Sequence, residues 1–311
     1  MNYIVMDLEW NQGSHQDEIK KQIPFEIIEI GAVKLNEKRE RVDQFHRVIK
    51  PAIYLELFPI TQDLVPIAKE ELEQGGTFLE VIRDFFVWCG PEYQFCTWGN
   101  MDLVELQRNM EFYGVNDILT KAFFYYDVQK IFSLQTEGKK NQKTLEYAVQ
   151  YFDFNEKMEF HRAIFDAEYT AMIFQRLDMN LINRYFSIDY YNNPKGREDE
   201  IFVHYGNYTK LISKEYACKE DIFEDQFMKY IPCVDCGKLA ERKIDWFSNN
   251  AKNYYALAKC KEHGFLKGRI QINKARNGKR FAVRIISHVT KEGAKTLKNY
   301  HDEIVIKKSE N

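Results

Sequence analysis

Apolar and β-branched stretches dominate the first fifty residues of the chain. Residues 3–8 form a mostly apolar run that is typical of a buried strand, and residues 26–35 are rich in β-branched side chains. After a turn at residues 36–39, residues 42–49 alternate between polar and apolar positions like a third strand. Three strands joined by short connections predict a mixed sheet.

Helical spacing follows these strands. Residues 52–90 are predicted to be mostly helical, with a break at Gly75-Gly76 and with Thr77 as the N-cap of a helix over 78–88. The remaining elements are predicted at 93–98 (strand), 101–113 (helix), 123–128 (strand or helix start), 142–152 (helix) and 162–178 (helix). This alternation predicts an α/β domain over residues 1–178, a mixed sheet flanked by helices.

A different pattern occupies the rest of the chain. Residues 179–228 are rich in Tyr, Asn and Asp, and they predict a connector with some helix. Residues 229–311 predict a smaller β-rich domain with a hairpin turn at Asn277-Gly278. Its strands are expected at 238–247, 253–260, 266–274 and 280–289, and a final helix is expected over about 291–305.

The charge is divided between these regions. The net charge of the 311 residues is −3, which at face value disfavours a nucleic-acid binder. Residues 229–311 hold 19 Lys+Arg and 8 Asp+Glu, which leaves 25 and 39 for residues 1–228. A basic C-terminal region on an acidic body indicates a module for nucleic acid or another acidic partner, although a solvated surface has the same composition.

Composition also bears on location. The N-terminal segment has no basic stretch ahead of an apolar one, so it does not resemble a secretory signal. The apolar runs fall far short of the roughly 20 residues of a membrane helix. Six cysteines are too few for a disulfide scaffold in a chain of this length. We expect a soluble, cytoplasmic protein without a membrane partner.

Acidic residues and one histidine form a candidate site in the first domain. Asp7 and Glu9 lie two apart near the end of the first strand, so both side chains point to one side of the sheet. Asp102 begins a helix directly after a strand, and His161 and Asp166 lie at the start of the last helix of the domain. Taken singly, such residues are also common as exposed strand-end acids or as acids that complement a helix dipole.

Together, these residues resemble a known family. Asp7 and Glu9 in DLEW, Asp102 in WGNMDL, and His161 and Asp166 in HRAIFDAEYTA follow the order and spacing of the DEDDh 3′–5′ exonucleases. That family belongs to the DnaQ-like, RNase H-fold superfamily, and this chain resembles its Eri1-like and KapD-like branch. The resemblance covers residues 1–178. It implies an RNase H-like mixed sheet and hydrolysis of phosphodiester bonds.

The resemblance also implies the role of each residue. Asp7, Glu9 and Asp166 would hold one Mg²⁺ or Mn²⁺ ion, Asp7 and Asp102 would hold a second, and His161 would be the general base. Carboxylate oxygens suit these hard cations, and two such ions stabilise the attacking and leaving oxygens of a phosphodiester. An imidazole accepts protons near neutral pH.

Neighbouring residues have weaker signals. Trp10 and Phe58 are candidate substrate-binding residues that stack on a terminal base, with ordinary aromatic packing as the alternative. Glu105 is expected to be a solvated helix acid, and Asp127 is expected to have a cap or structural role rather than to bind metal.

The second domain contains a pattern typical of structural zinc sites. Cys233-x-x-Cys236 is followed by Cys260-x-x-His263, with a hairpin-length segment between the two pairs. This predicts a zinc-ribbon-like domain with one structural Zn²⁺, and the alternatives are unrelated cysteines or a redox pair. Basic residues surround the second ligand pair, with aromatic residues interleaved: Lys259, Lys261, Lys267, Arg269, Lys274, Arg276, Lys279, Arg280 and Arg284, with Trp246, Phe247, Tyr254 and Tyr255.

These observations predict a metal-dependent 3′–5′ exonuclease that acts on the 3′ end of single-stranded RNA or DNA. The basic zinc domain would hold the nucleic acid. Two alternatives stay open: a non-enzymatic adaptor for nucleic acid or protein with a vestigial nuclease fold, and an exonuclease specialised for short oligoribonucleotides.

Overall fold

A computed structural model describes residues 1–14, 18–138, 141–154 and 158–309. The chain divides into two compact units, Met1–Tyr191 and Asn192–Asn311. Each unit contains one six-stranded sheet. Within the described ranges, no helix combines the length and the apolar character needed to cross a membrane.

The first unit is built on a mixed sheet. Its strands are β1 (Asn2–Gln12), β2 (Phe25–Leu35), β3 (Arg41–Val48), β4 (Tyr93–Thr97), β5 (Phe123–Asp127) and β6 (Ser187–Asp189). Their order is β3-β2-β1-β4-β5-β6. β1 is antiparallel to β2 and parallel to β4, and β5 is parallel to β4. The carboxyl ends of β1 and β4 therefore lie at the same edge of the sheet.

Helices accompany this sheet. They are α1 (Pro59–Leu64), α2 (Lys69–Glu73), α3 (Phe78–Cys89), α4 (Met101–Phe112), α5 (Val128–Glu137), α6 (Leu145–Tyr151), α7 (Ala163–Arg176) and α8 (Met179–Arg184), with a 3₁₀ turn at Glu18–Lys21. A capping box between Thr77 and Glu80 starts α3. The side chain of Asp127 caps α5, which ends at Gly138 in the left-handed conformation. The predicted N-cap at Thr77 is confirmed, and of the two roles expected for Asp127 the structure shows the helix cap.

The two faces of β1 contribute to two separate cores. Tyr3 and Val5 pack with side chains of α5, α6 and α7 on one face. Ile4, Met6 and Leu8 pack with α3 and α4 on the other. This division follows from the two-residue period of a strand. Every odd-numbered position of β1 up to Glu9 therefore faces the side on which α7 packs.

The second unit is an antiparallel sheet. Its strands are β7 (Ile201–His204), β8 (Tyr208–Ile212), β9 (Glu241–Phe247), β10 (Asn253–Cys260), β11 (Gly264–Lys274) and β12 (Arg280–His288), in the order β7-β8-β12-β11-β10-β9. Its helices are α9 (Lys219–Glu224), α10 (Gln226–Lys229) and α11 (Lys291–Ser309), with a 3₁₀ turn at Arg197–Asp199. Ala294 and Leu297 of α11 pack against Leu257 on one face of the sheet.

The predicted fold class is confirmed: a mixed sheet flanked by helices is followed by a second, β-rich domain. The ambiguous segment 123–128 contains both a strand end and a helix start, since β5 ends at Asp127 and α5 begins at Val128. Residues 52–58 are not helical, although the sequence predicted mostly helix over 52–90.

The domain boundary differs from the predicted one. Residues 179–228 do not form a separate connector, because β6 pairs with β5 in the first unit and β8 pairs with β12 in the second. These strands have only three to five residues, too few for periodicity to reveal them. The second domain is therefore a larger sheet than a zinc ribbon alone.

Candidate active site and metal centre

The end of β1 carries the first two acidic residues of the candidate site. Asp7 and Glu9 continue the row of Tyr3 and Val5, on the face that packs against α7. A bulge interrupts the register with β2 only after Glu9, so the period of two is unbroken between the two acids. The predicted common face is confirmed.

Asp102 reaches this edge from α4. It lies in the first turn of α4, directly after β4, and its side chain is buried with 6% exposure. Because β4 is parallel to β1, this helix start lies beside the carboxyl end of β1. The carboxylate accepts hydrogen bonds from its own backbone N–H and from that of Leu8. These bonds fix Asp102 next to the residue after Asp7.

The start of α7 supplies His161 and Asp166. His161 has a φ of +65°, a left-handed conformation that is uncommon for a residue other than glycine. Its backbone N–H donates to Asp166 Oδ2 at 3.1 Å. α7 comes this close to the sheet because position 31 of β2 is glycine: a Cβ there would lie 2.1 Å from the carbonyl carbon of Ala163.

The helix and the strand bring three potential ligands together. One atom each of Glu9, His161 and Asp166 lies within 4.8 Å of the others. Asp166 is buried, and its Oδ1 has no hydrogen-bond partner. A buried carboxylate oxygen without a donor is costly unless a cation or water compensates it. The oxygen donors and the unsatisfied atom therefore fit a hard divalent cation.

The electrostatics of the four carboxylates point the same way. Burial raises the pKa of Asp7 well above its ordinary value, and the nearby charges of Asp102, Asp166 and Glu9 raise it further. Burial and then the charge of Asp166 raise the pKa of Glu9 to about 8. Burial is also the main cause that raises the pKa values of Asp102 and Asp166 to about 7. Bound cations favour the ionised forms of such a group.

The sequence missed a residue that organises the neighbouring loop. The amide of Asn11, which is fully buried, donates to the carbonyls of Tyr54 and Glu56 at 2.9 Å each, and its oxygen accepts the N–H of Phe58. Phe58 is thereby held beside the end of β1, and Trp10 packs on Phe25 with ring centroids 5.5 Å apart. Both Trp10 and Phe58 are half-buried. A lone Asn beyond the predicted strand at residues 3–8 gave no signal for this role.

Glu105 differs from the prediction. The expected solvated helix acid is fully buried, because α4 packs against the sheet. Its Oε1 accepts from Arg108, and its Oε2 has no hydrogen-bond partner.

Residues 4–174 match the RNase T exonuclease family. This match covers more than half of the chain. The chain belongs to this exonuclease family. Membership implies a hydrolase that acts on phosphodiester bonds, and it locates the exonuclease domain in the first unit. No curated protein matches the chain.

Solved structures are similar to the exonuclease domain in fold. The nuclease domain of 3′hExo, a DEDDh family member bound to rAMP, has a TM-score of 0.51 and 17% identity, over 60% of this chain and 96% of that chain. A 3′-exonuclease that recognises the 3′ end of histone mRNA stem-loop has a TM-score of 0.47 and 17% identity, over 56% and 62%. This chain thus spans less than two thirds of that protein. E. coli Exonuclease I with a dA16 oligonucleotide has a TM-score of 0.47 and 11% identity, over 99% and 70%.

A second candidate metal centre lies outside the exonuclease domain. Cys233, Cys236, Cys260 and His263 offer ligand atoms that all lie within 4.8 Å of one another. Cys233 Sγ and Cys260 Sγ each lie 3.5 Å from His263 Nδ1, and Cys236 Sγ lies 3.9 Å from Cys260 Sγ. A tetrahedral zinc ion with Zn–S near 2.3 Å and Zn–N near 2.0 Å separates its ligands by roughly 3.5–3.8 Å.

The cysteines of this centre are thiols rather than disulfides. Backbone hydrogen bonds at His263 and Glu262 lower the pKa of Cys260 to about 6, which favours the thiolate that binds zinc. The Cys₃His cluster therefore fits a zinc site. Cys218 is exposed and lies outside the cluster, as the sequence predicted.

The basic residues of the second unit are not all on its surface. Lys259, Lys261, Lys274, Arg276 and Lys279 are exposed. Arg284, which the sequence grouped with them, is 5% exposed and donates to the carbonyls of Phe227 and Tyr230. The interleaved aromatic residues are half-buried and pack on other rings, as in the pairs Phe223–Tyr254 and Phe247–Tyr300. The exposed positive charge thus comes mainly from lysines around β10, β11 and the turn before β12.

Proposed function

We propose that this chain is a metal-dependent 3′–5′ exonuclease that removes nucleotides from the 3′ end of single-stranded RNA or DNA. The observation that carries the proposal is the convergence of buried carboxylates around Asp166, whose Oδ1 has no hydrogen-bond partner. Membership of the exonuclease family supports the reaction class.

Each acid has a distinct role in this proposal. Asp7, Glu9 and Asp166 would hold one Mg²⁺ or Mn²⁺ ion, and Asp7 and Asp102 would hold a second. Two such ions neutralise charge on the attacking and leaving oxygens of a phosphodiester. Asp7 would be shared, because Glu9 lies on the same face of β1 and the backbone N–H of Leu8 holds Asp102 at the same edge.

His161 would take the proton from the attacking water. One imidazole nitrogen lies within 4.8 Å of a carboxylate oxygen of Glu9 and of Asp166, so the base is next to two of the acids that would hold the first ion. The hydrogen bond from its backbone to Asp166 ties the base to a metal-holding carboxylate. General-base assistance of this kind contributes about 10²–10⁴-fold to a rate.

The aromatic residues next to Glu9 would hold the terminal nucleotide. Trp10 follows Glu9 in the chain, and the side-chain oxygen of Asn11 accepts the backbone N–H of Phe58 at 2.9 Å. Stacking on an aromatic ring does not distinguish between bases, which suits an enzyme that shortens strands of any sequence.

The second unit would bind one structural Zn²⁺ and the nucleic-acid backbone. The Cys₃His cluster has the ligand types and spacing of a closed site, which leaves no position for substrate. Its surroundings carry exposed lysines, and lysine contacts with phosphates are independent of sequence.

The test is a metal titration with labelled single-stranded oligonucleotides. The purified chain should release mononucleotides stepwise from a free 3′ end in Mg²⁺ or Mn²⁺, and a blocked 3′ end should prevent this. Matched RNA and DNA strands, and strands of two to twenty nucleotides, identify the preferred substrate. Asp7→Asn and Asp166→Asn should each abolish release, since each removes a carboxylate charge from a metal site.

Asp84→Asn is the matched control, because Asp84 is an exposed acid on α3. It should retain full activity. Hydrolysis that persists in the Asp7→Asn, Asp166→Asn double variant would reject the assigned site. Binding of the oligonucleotide without hydrolysis at any metal concentration would favour the adaptor function instead.

A further inference from the structure

One buried carboxylate beside the site has no part in the proposed mechanism. Glu29 is fully buried on β2, and its Cα is the register partner of Glu9 on β1. Unlike Asp166, both of its oxygens have hydrogen-bond donors. His46 Nε2 lies 2.5 Å from Oε1, Arg162 Nε donates to Oε1 at 3.0 Å, and the backbone N–H of Ala163 donates to Oε2 at 3.0 Å.

Two of these donors, Arg162 and Ala163, follow His161 directly in the chain. Arg162 is the N-cap residue of α7, but its own side chain makes no capping hydrogen bond. Glu29 supplies that function from the neighbouring strand, because it accepts the N–H of Ala163, the first residue of the helix. Arg162 Nη2 also lies 2.8 Å from Glu29 Oε1 and 2.7 Å from Glu71 Oε1, so the guanidinium bridges two acids.

The conformation of His161 makes this anchoring significant. A non-glycine residue with a φ of +65° is held in that conformation only when its surroundings fix it. On the C-terminal side of His161, Glu29 binds the side chain of Arg162 and the backbone N–H of Ala163. The backbone N–H of His161 itself donates to Asp166.

The charge state of Glu29 agrees with an anchoring role. Burial alone raises the pKa of this carboxyl, but the hydrogen bonds from His46, Arg162 and Ala163 outweigh burial and bring the pKa below its ordinary value. Glu29 is therefore a satisfied anion, whereas the carboxylates of the site are not. It has no free oxygen to offer a cation.

We propose that Glu29 is a positioning residue: by binding Arg162 and Ala163, it fixes the left-handed turn at His161 and keeps the imidazole over the carboxylate cluster. This inference rests on the proposed function, since it assigns the effect of Glu29 to the general base. It differs from a purely structural role, in which Glu29 would support the fold without any special dependence on His161.

Glu29→Gln is the first variant. The amide keeps the shape of the side chain but loses the charge and one acceptor, so one of the bonds to Arg162 and Ala163 is lost. We expect kcat to fall about 10- to 100-fold, the size of effect that a misplaced catalytic group produces, while KM stays within about twofold. Glu71→Gln is the matched control, because it removes only the outer partner of Arg162. Its kcat should stay within about twofold of the unsubstituted value.

A double-mutant cycle with His161→Asn decides between the two roles. Asparagine removes the imidazole and tolerates the left-handed conformation. If Glu29 acts through His161, Glu29→Gln should lower kcat by less than about twofold in the His161→Asn background. An equal loss in both backgrounds would overturn the inference, and so would a loss confined to KM.

Folding and the basal reaction are checked separately. Circular dichroism and thermal unfolding establish whether Glu29→Gln is folded. If it is not, Arg162→Lys takes its place in the same cycle, because lysine keeps the charge but cannot contact Glu29 and Glu71 together. If the unsubstituted enzyme is active and Asp166→Asn inactivates it, the proposed function stands. Additive losses in the cycle would then overturn only the role of Glu29. Absence of hydrolysis in the unsubstituted protein would overturn both proposals.

Discussion

Gly31 of β2 lies against the first turn of α7, where the backbone of Ala163 and Ile164 occupies the space that a Cβ at position 31 would need. A Cβ at position 31 would lie 2.1 Å from both Ala163 C and Ile164 N. Gly31 is also the register partner of Asp7. The position of α7, and with it of His161 and Asp166, therefore depends on the absence of one methyl group.

Gly31→Ala should displace the start of α7. We expect a loss of stability of about 1–3 kcal/mol, typical of overpacking, because the clash is with backbone and not with a flexible side chain. Activity should fall about 10²-fold or more, since the catalytic groups shift relative to one another. Thermal unfolding and single-turnover kinetics measure the two effects. Val42→Ala on exposed β3 is the control and should change neither.

Asn11→Ala should loosen the segment that carries Phe58. The substitution leaves the carbonyls of Tyr54 and Glu56 and the N–H of Phe58 without their partner, at a cost of about 1–3 kcal/mol. We expect KM for an oligonucleotide to rise by about tenfold with a smaller change in kcat, because the acids proposed to hold the metal ions stay in place. Gln12→Ala at the next position of β1 is the control. A loss confined to kcat would contradict the proposed contact with substrate.

Neutralising the exposed lysines should weaken nucleic-acid binding. We expect KM to rise in the triple variant Lys259→Gln, Lys261→Gln, Lys274→Gln. The slope of log KM against log salt concentration should become shallower, because binding releases up to about three fewer counterions. The value of kcat at saturating substrate should not change. KM measured at several salt concentrations is the readout, and an unchanged salt slope would place the binding surface elsewhere.

Removal of zinc should destabilise the second unit. Cys236→Ser removes one of four ligands, so we expect the bound zinc to fall from one ion per chain towards none and the Tm to fall with it. Elemental analysis and thermal unfolding measure both. Cys218→Ser, at an exposed cysteine outside the cluster, should retain the full zinc content. A protein that is folded and free of zinc after expression in zinc-supplemented medium would contradict the assignment.

Glu215 should make the second unit sensitive to acid. Burial raises the pKa of this side chain, but hydrogen bonds from Lys195, Asn277 and Asn193 outweigh burial and lower it to about 2. The pKa of Glu215 in the folded state is below its ordinary value of about 4.5. The ionised side chain therefore adds to the free energy of unfolding above pH 4.5, and this stabilisation is lost as the pH falls towards 2. Glu215→Gln should therefore lower stability by about 1–3 kcal/mol at pH 7.

The difference in the free energy of unfolding between the unsubstituted protein and Glu215→Gln should shrink as the pH approaches 2. Urea unfolding at a series of pH values tests this, and comparison of the two proteins cancels any effect of acid on zinc binding that both would share. A constant difference at every pH would contradict the assigned pKa.

The sequence predicted the parts of the site that depend on local order. The period of two places Asp7 and Glu9 on one face, and the step from β4 into α4 places Asp102 at the edge of the sheet. The two CxxC/H pairs predicted the second metal centre in the same way, since short turns fix their spacing.

Contacts between distant segments could not be predicted in this manner. Glu29 and Arg162 are 133 residues apart, and only the packing of α7 on β2 brings them together. The burial of Glu105 and of Arg284 also depends on which face of an element packs, which charge alone does not reveal. β8 pairs with β12, about seventy residues later, and β7 pairs with β8, so their own short pattern was insufficient.

The crowded carboxylates at the edge of the first sheet have a thermodynamic consequence beyond catalysis. In the folded chain they repel one another, whereas in an unfolded chain they separate into water. A ligand that binds only the folded state stabilises it by mass action. The supply of divalent cations would then set the lifetime of the folded enzyme as well as its turnover, so a metal-starved chain would be the first to be degraded.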